Sequence, residues 1–322
     1  MKNFEYIYPK NVTSIPAILA ENPDKSLLFA GGTDAISRMK EGLIQPQRVI
    51  NLKAVEELNY IREDSDGLRV GATTTLFDFL ENKALNTYQG LKEAAHSIAS
   101  IQLRNLGTVA GNLCQRPRCW YFRSRHFPCL RKKGDICFAV NGQNKYHCIL
   151  GGGPCFIVHP SDLAPMLLAL DASVTVISPE DSKQIKIENL YVLPEQDTYK
   201  EMVLAPQEFI SEVLIPKTSK KSHYLKFKER KSLDFAMVSV ALAADVSGRA
   251  LNNVRVSFGG VAPVPWRASK AENILEGQAV SEDIVEQAAL AELKAAEPLE
   301  QNEYKIILAK NLLKRAVREL MS

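Results

Sequence analysis

Cysteine is missing from the first 113 residues of this 322-residue chain and from everything after position 155, although six fall between those limits. Long apolar runs are missing as well. No stretch reaches the roughly 18 residues that a membrane-spanning helix needs. The opening MKNFEYIYPK lacks the apolar segment of a secretory signal, so the expected location is cytoplasmic. Neither charge sign dominates: 40 basic and 37 acidic residues leave a net charge of +3, which points to neither nucleic acid nor a membrane surface as partner. Two phosphate-binding signatures are also lacking. The sequence contains no strand–GxGxxG–helix and no P-loop lysine, so neither a Rossmann dehydrogenase nor an NTPase is supported. No internal repeat or low-complexity segment occurs.

What is present reads as mixed α and β structure. SLLFAGG (26–32) is an apolar strand running into glycines, DAISRMKEG (34–42) a short helix, and RVINL (48–52) a second buried strand. LRVGATTTLFDFLEN (68–82) repeats strand, threonine-rich turn and helix. GLKEAAHSIAS (90–100) is expected to be helical, with Ala94, Ile98 and Ile101 on one face. KYHCILG, SVTVIS and EMVLA look like strands. DLAPMLLALDA (162–172) is an apolar helix with Pro165 tolerated in its first turn. Alternating strands follow over 222–246 and 252–268. Two helices close the chain, the last carrying Ile306, Ala309, Leu313, Val317 and Leu320 as one stripe. A domain boundary is expected near 214–222.

Two glycine turns carry the first functional signal. AGGTD (30–34) leaves a strand and opens a helix. There, paired glycines let backbone approach a phosphate, and Thr33 adds a hydroxyl donor. RNLGTVAGNL (104–113) supplies a second bend with Gly107, Thr108, Gly111 and Asn112. Each alone is a common strand–helix turn; together they suit a long diphosphate gripped from both sides.

AGGTD, LRNLGTVAGNL and HPSDLAP (159–165), with FKERKSLDFAMVSVA and VRVSFGGVAPVPWRA further on, resemble the FAD-binding medium subunit of the molybdenum hydroxylases. This is the flavoprotein chain of the xanthine dehydrogenase and carbon monoxide dehydrogenase type, and the resemblance covers nearly the whole sequence. It implies an α+β fold: a two-subdomain PCMH-type FAD-binding domain over 1–215, with a small α/β part to about 55 and a larger part from 56. A C-terminal domain of antiparallel sheet with helices would span 216–322. It implies further that Ala30, Gly31, Gly32, Thr33 and Asp34, with Thr108, Gly111 and Asn112, cradle the FAD diphosphate. Thr73 and Thr74 would border the flavin cleft, Asp162 would approach sugar or ribityl hydroxyls, and Lys228 would lie near the isoalloxazine. For Asp162 a helix N-cap is the plainer role, and for Lys228 a solvated strand position.

The cysteines fit the same resemblance. Cys119, Cys129 and Cys137 sit among Arg116, Arg118, Arg123, Arg125, Arg131, Lys132 and Lys133, with Cys148 and Cys155 shortly after. In a reducing compartment such thiols bind metal more often than they pair. The long connection over 114–158 is similar to the minority subclass with an extra 4Fe-4S cluster, as in 4-hydroxybenzoyl-CoA reductase and molybdenum aldehyde oxidoreductase medium subunits. By that resemblance Cys119, Cys129, Cys137 and Cys155 are the ligands, at separations of 10, 8 and 18 residues. Cys148 is the alternative fourth ligand, although in its context a small buried hydrophobe is the commoner role. Cys114 is expected to be packed, and His126 and His147 to be surface or core residues. Four thiolates around the core leave a net anion that the cations would stabilise, Arg123, Arg125 and Lys132 foremost.

The implied activity is electron transfer without substrate chemistry of its own. A large subunit with the molybdenum cofactor and a small subunit with 2Fe-2S clusters would be partners, in a heterotrimer or a dimer of heterotrimers, with ferredoxin or NAD as acceptor. No catalytic residue is nominated. The rivals are a self-sufficient FAD oxidoreductase, which would need acid–base residues beside the flavin, and a binding module with structural zinc, which would favour closely paired cysteines.

Overall fold

The computed structural model describes residues 1–231 and 233–322. The chain begins with β1 (Glu5–Ile7), α1 (Ser14–Glu21), β2 (Ser26–Phe29), α2 (Ala35–Lys40) and β3 (Arg48–Asn51). These strands form a parallel sheet in the order β1-β3-β2, with Ile50 opposite both Ile7 and Leu28. Parallel neighbours need crossovers, and α1 and the α2 segment supply them. Gly32, at φ +69°, turns the chain from β2 toward α2 in a conformation that favours glycine.

A second sheet combines β4 (Ile61–Glu63), β5 (Gly67–Gly71), β6 (Ser173–Ile177), β7 (Ser182–Lys186) and β8 (Phe209–Pro216) in the order β4-β5-β8-β6-β7. Against it lie α3 (Leu76–Glu81), α4 (Gln89–Ser97), α5 (Ile101–Leu106), α6 (Val109–Leu113) and α8 (Leu163–Ala169), while α7 (Trp120–Arg123) belongs to the cysteine segment. Every residue of α8 is buried. Each fully buried leucine of that helix contributes about 1.5–3 kcal/mol relative to exposure.

The remaining strands, β9 (Lys221–Phe227), β10 (Val238–Ser247), β11 (Ala250–Gly259) and β12 (Trp266–Arg267), make an antiparallel sheet in the order β12-β11-β10-β9. It is followed by α9 (Ser269–Leu275), α10 (Glu282–Leu293) and α11 (Tyr304–Met321). Strand β10 joins the two halves through the two-residue period of its side chains. Ala241 and Ala243 enter the core under the second sheet, whereas Val238, Val240, Leu242 and Ala244 enter the core beneath α9, α10 and α11.

The mixed helix and sheet architecture, with an antiparallel C-terminal sheet, is as expected. Four local expectations are not met. KYHCILG is a series of turns, because its buried apolar residues are held from outside: Ile149 and Leu150 both donate to the Val261 carbonyl. EMVLA makes one isolated bridge, Met202 to Tyr191, and the side chain of Glu201 is engaged by two arginines. The stretch 222–246 is broken by a loop between β9 and β10. Ile101 does not share a face with Ala94. The chain leaves α4 at Ile98, Ala99 takes φ 46°, and Ile101 starts α5 at 59% exposure. In the last helix Ala309, Leu313, Val317 and Leu320 are buried as expected. No helix among the described residues is long and apolar enough to cross a membrane.

Candidate functional site

The two glycine turns meet. A Cβ added to Gly31 would stand 2.0 Å from the Leu106 carbonyl oxygen and 2.9 Å from the Gly107 Cα. Only a residue without a side chain permits this approach. The threonine-rich turn after β5 is laced to the same place: Leu76 N–H donates to Gly107 O, Val109 N–H to Thr74 O, and Ala110 N–H to Ala72 O. Thr108 caps α6, its hydroxyl accepting from Gly111 N–H at 3.2 Å.

Around this junction opens a cleft of about 530 Å³, lined by Ala30 to Ala35, Gly107, Thr108, Ala110 to Asn112 and Asp162 among others. Cofactor pockets run from about 300 to 1,000 Å³. Leu28, Leu52, Ile98, Leu103 and Phe209 give one wall its apolar character, and Arg230, Asp234 and Phe235 border another part. Thr73 and Thr74 lie beneath the lining; the Thr74 hydroxyl donates to Tyr60 O, while the buried Thr73 hydroxyl has no partner. Cys114 lines the cleft and is exposed, not packed as expected.

Asp162 precedes α8 but does not cap it. The Ser161 hydroxyl takes that part, accepting from Ala164 N–H at 3.0 Å and donating to Asn112 Oδ1 at 2.6 Å. The Asp162 carboxylate instead accepts from Tyr224 Oη at 2.8 Å and Lys226 Nζ at 2.7 Å. Lys226 and Asp162 are both nearly inaccessible, at 4% and 6% side-chain exposure. Lys228 is half-buried, and neither it nor Lys226 is among the cleft-lining residues. The pairing of Lys226 with Asp162 leaves no mark in the sequence, where Lys226 and Lys228 share one parity of the strand alternation.

Asp34 lines the cleft, yet its carboxylate faces the cysteine segment. It pairs with Arg123 at 2.7 Å, Arg118 at 3.0 Å and Arg38 at 3.4 Å, and accepts from Arg116 N–H at 3.2 Å. Burial alone would raise its pKa, but Arg118, Arg123 and Arg38 hold it below the usual carboxylate range. A second carboxylate, Glu201, takes Arg116 and the buried Arg131.

Within the segment the thiols approach one another. The interaction of Cys137 with Cys155 favours the Cys137 thiolate and pushes the Cys155 thiol up. Cys119 also feels Cys137 and Cys129; burial raises it to about 11, against N–H groups of Phe122 and Tyr121 directed at its sulfur. Further backbone donors reach Cys137 from Phe156, Ala139 and Val140, and Cys155 from Ile157. His147 Nε2 stands 3.2 Å from Cys119 Sγ. Cys148 is fully buried and is raised to about 12 by that burial. All six cysteines are unpaired. Among the described residues, no group of three or more His, Cys, Asp or Glu side chains is placed to hold a metal ion.

The cations are distributed differently from expectation. Arg123 turns to Asp34, Lys132 donates to the Tyr121 and Ser124 carbonyls, and Arg125 is exposed. Arg131 is the guanidinium beside the thiols. Its side chain is 1% exposed, its charge favours the Cys155 thiolate, and its Nε and Nη1 have no protein partner. His126 is exposed and His147 buried.

Comparison with known proteins adds identity to this geometry. Residues 2–218 match the family model for the FAD binding domain in molybdopterin dehydrogenase, and residues 223–320 that for the CO dehydrogenase flavoprotein C-terminal domain. The chain is 33% identical to the aldehyde oxidoreductase FAD-binding subunit PaoB of Escherichia coli (strain K12), covering 99% of this chain and 98% of that protein. It is 25% identical to the carbon monoxide dehydrogenase medium chain of Hydrogenophaga pseudoflava over 98% and 96% of the two chains. A solved structure of that organism's carbon monoxide dehydrogenase, lacking the Mo-pyranopterin moiety, superposes with a TM-score of 0.78 at 26% identity, covering 98% of this chain and 96% of that one.

Proposed function

Because the chain belongs to the FAD-binding medium subunits of the molybdenum hydroxylase family, of the carbon monoxide dehydrogenase and xanthine dehydrogenase type, we propose that it carries electrons within a multi-subunit enzyme. It would connect 2Fe-2S clusters on a small subunit, through its own FAD and a 4Fe-4S cluster in the cysteine segment, to an external acceptor. The names of its relatives, medium chain and FAD-binding subunit, support a place beside other subunits. When bound, FAD exchanges electrons singly or in pairs and a 4Fe-4S cluster exchanges them singly.

The observation that carries the flavin assignment is the contact between the two glycine turns. Gly31 and Gly107 bring two stretches of bare backbone to one cleft of cofactor size, and a Cβ at position 31 would force them apart. Ala30 to Thr33, Thr108, Gly111 and Asn112 would hold the diphosphate. Asp34 would act at one remove, because a carboxylate repels phosphate while its arginine partners tie the cysteine segment to the turn. Asp162, fixed by Tyr224 and Lys226, presents a rigid acceptor for cofactor hydroxyls. Lys226 would act through Asp162, which it holds from outside the cleft lining, and Lys228 would be the cation nearer the isoalloxazine, as the resemblance implies.

Cys119, Cys129, Cys137 and Cys155 would hold the cluster, with Cys148 the alternative to Cys155. Support comes from chemistry suited to thiolates: the N–H groups directed at Cys119, Cys137 and Cys155, and the two unpartnered donors of Arg131.

Anaerobic purification of the full chain tests both assignments. The expected result is releasable flavin with about four irons and four sulfides per chain, and no substrate turnover by the chain alone. One zinc in place of iron overturns the cluster. A colourless chain that takes up no flavin overturns the whole proposal.

A further inference from the structure

The charges that line the cleft are unevenly answered. Asp162 is paired with Lys226 at 2.7 Å, Glu208 with Lys183 at 2.6 Å, and Arg230 with Asp234 at 3.1 Å. Asp34 is the exception, one carboxylate facing Arg38, Arg118 and Arg123. Glu201 does not redress the balance, since it already serves Arg116 and Arg131. Five guanidiniums therefore share two carboxylates beside the AGGTD turn. The exposed Glu41 adds only a weaker pull on Arg118.

Two of the five, Arg38 and Arg118, line the cleft. Arg38 approaches Asp34 at 3.4 Å through Nε, yet this buried N–H makes no hydrogen bond. Arg118 leaves its own buried Nε equally unpartnered. Burial draws both arginines down to about 10 against the pull of Asp34, and Arg123 repels each of them. Withdrawing an excess of cations from water is costly unless an anion answers them.

Arg118 is nevertheless held in one place. Its Nη1 meets Asp34 Oδ1 of the first turn at 3.0 Å, and its Nη2 donates to Gln115 Oε1 at 3.1 Å. Gln115 Nε2 in turn donates to the Asn112 carbonyl of the second turn at 3.0 Å. The guanidinium lies over the Phe235 ring, 4.8 Å from its centre. A residue of the cysteine segment thus carries a fixed positive charge to both glycine turns.

We propose that Arg118 and Arg38 are the countercharges of the bound cofactor's diphosphate, so that the cysteine segment is also a wall of the flavin cleft and makes it selective for FAD over riboflavin. This rests on the flavin reading above and is independent of the cluster. Each phosphate of a dinucleotide carries a negative charge, and the planar guanidinium fork matches its oxygens. The glycine turns supply backbone donors but no net charge. The arginines supply charge that Asp34 alone does not neutralise, and Asp34 keeps them oriented.

The test titrates FAD and riboflavin, which has no phosphate, into the flavin-depleted full chain and reads each Kd by flavin fluorescence. Arg118→Gln and Arg38→Gln should each weaken FAD by about tenfold or more and leave riboflavin unchanged. An FAD affinity that does not move, or a loss shared equally by riboflavin, overturns the proposal and leaves the flavin reading intact. Wild type that binds neither flavin overturns both. Should the variants fail to fold, the salt dependence of wild type decides. FAD affinity that falls with added salt while riboflavin affinity holds supports the proposal, and FAD affinity as insensitive to salt as that of riboflavin overturns it.

Discussion

Arg123 Nη2 stands 2.7 Å from Asp34 Oδ1, joining the cysteine segment to the glycine turn of the cleft. Both side chains are largely withdrawn from water, at 13% and 15% exposure. The two proposed redox sites of this chain are therefore tied by one carboxylate and its arginines, not merely adjacent in sequence.

Asp34→Asn keeps the shape and removes the charge. Arg38, Arg118 and Arg123 then face one another without a neutralising partner, at a cost of about 3 kcal/mol in stability. Chemical denaturation of the full chain should register that loss. Hydrogen exchange over residues 116–124 should rise in step. Unchanged exchange there would mean that the tie is not what holds the segment.

Gly31→Ala puts a methyl group 2.0 Å from the Leu106 carbonyl oxygen, so the two turns must part. Flavin released on denaturation should fall at least tenfold, with far-ultraviolet dichroism unchanged. Gly42→Ala is the control. It also sits at positive φ, +72°, but has open space around it, so it should cost about 1 kcal/mol in backbone strain and leave the flavin in place.

These sites differ in how far the sequence exposes them. Gly31 and Gly107 are legible because close backbone approach demands glycine and the demand leaves a motif. The stripe on α11 is legible because burial follows the helical period. Ile101 departs from the helical period because the chain turns at Ala99, whose positive φ no local pattern announces. KYHCILG forms turns for a related reason: its N–H groups bond to Val261 and its carbonyls to Asn302 and Lys305, partners more than a hundred residues away. Lys305 itself leaves no trace in the sequence, being one lysine among many in an amphipathic helix. The aims of Asp34 and Arg131 are equally invisible, since charge composition does not say which acid meets which base.

The cysteines separate by substitution. Cys137→Ser removes a thiol with three backbone donors aimed at it and should lose iron while retaining flavin. Cys148→Ser, at a fully buried position, should keep its iron at a modest cost in stability. Iron lost from Cys148→Ser and kept in Cys155→Ser would move the fourth ligand to Cys148. Iron kept in all three would remove the cluster from this segment.

His223 gives the fold a pH dependence of its own. From β9 its Nδ1 meets Glu93 Oε2 of α4 at 2.8 Å, and its Nε2 meets Glu319 Oε2 of α11 at 2.7 Å. The hydrogen bond to Glu93, with Glu319 adding to it, raises the imidazole above its ordinary value. The carboxylates move the other way: burial opposes the shift at Glu93 but His223 overcomes it, and Glu319 is lowered by Arg315 and then by His223. A base whose folded pKa is raised contributes stability that is complete below its unfolded value of about 6.5 and is lost as pH rises through the folded value. Acids with lowered values contribute above about 4.3 and lose that contribution as pH falls. The staple between α4, β9 and α11 is therefore strongest between roughly pH 4.5 and 6.5. His223→Gln keeps a polar side chain and loses the charge, so it should destabilise the chain by about 1 kcal/mol near pH 5.5 and by less near pH 8.5. Urea denaturation of the two proteins at both pH values measures the gap. A gap that stays constant or widens with pH would mean that His223 holds the three elements as a neutral ring and not as a cation.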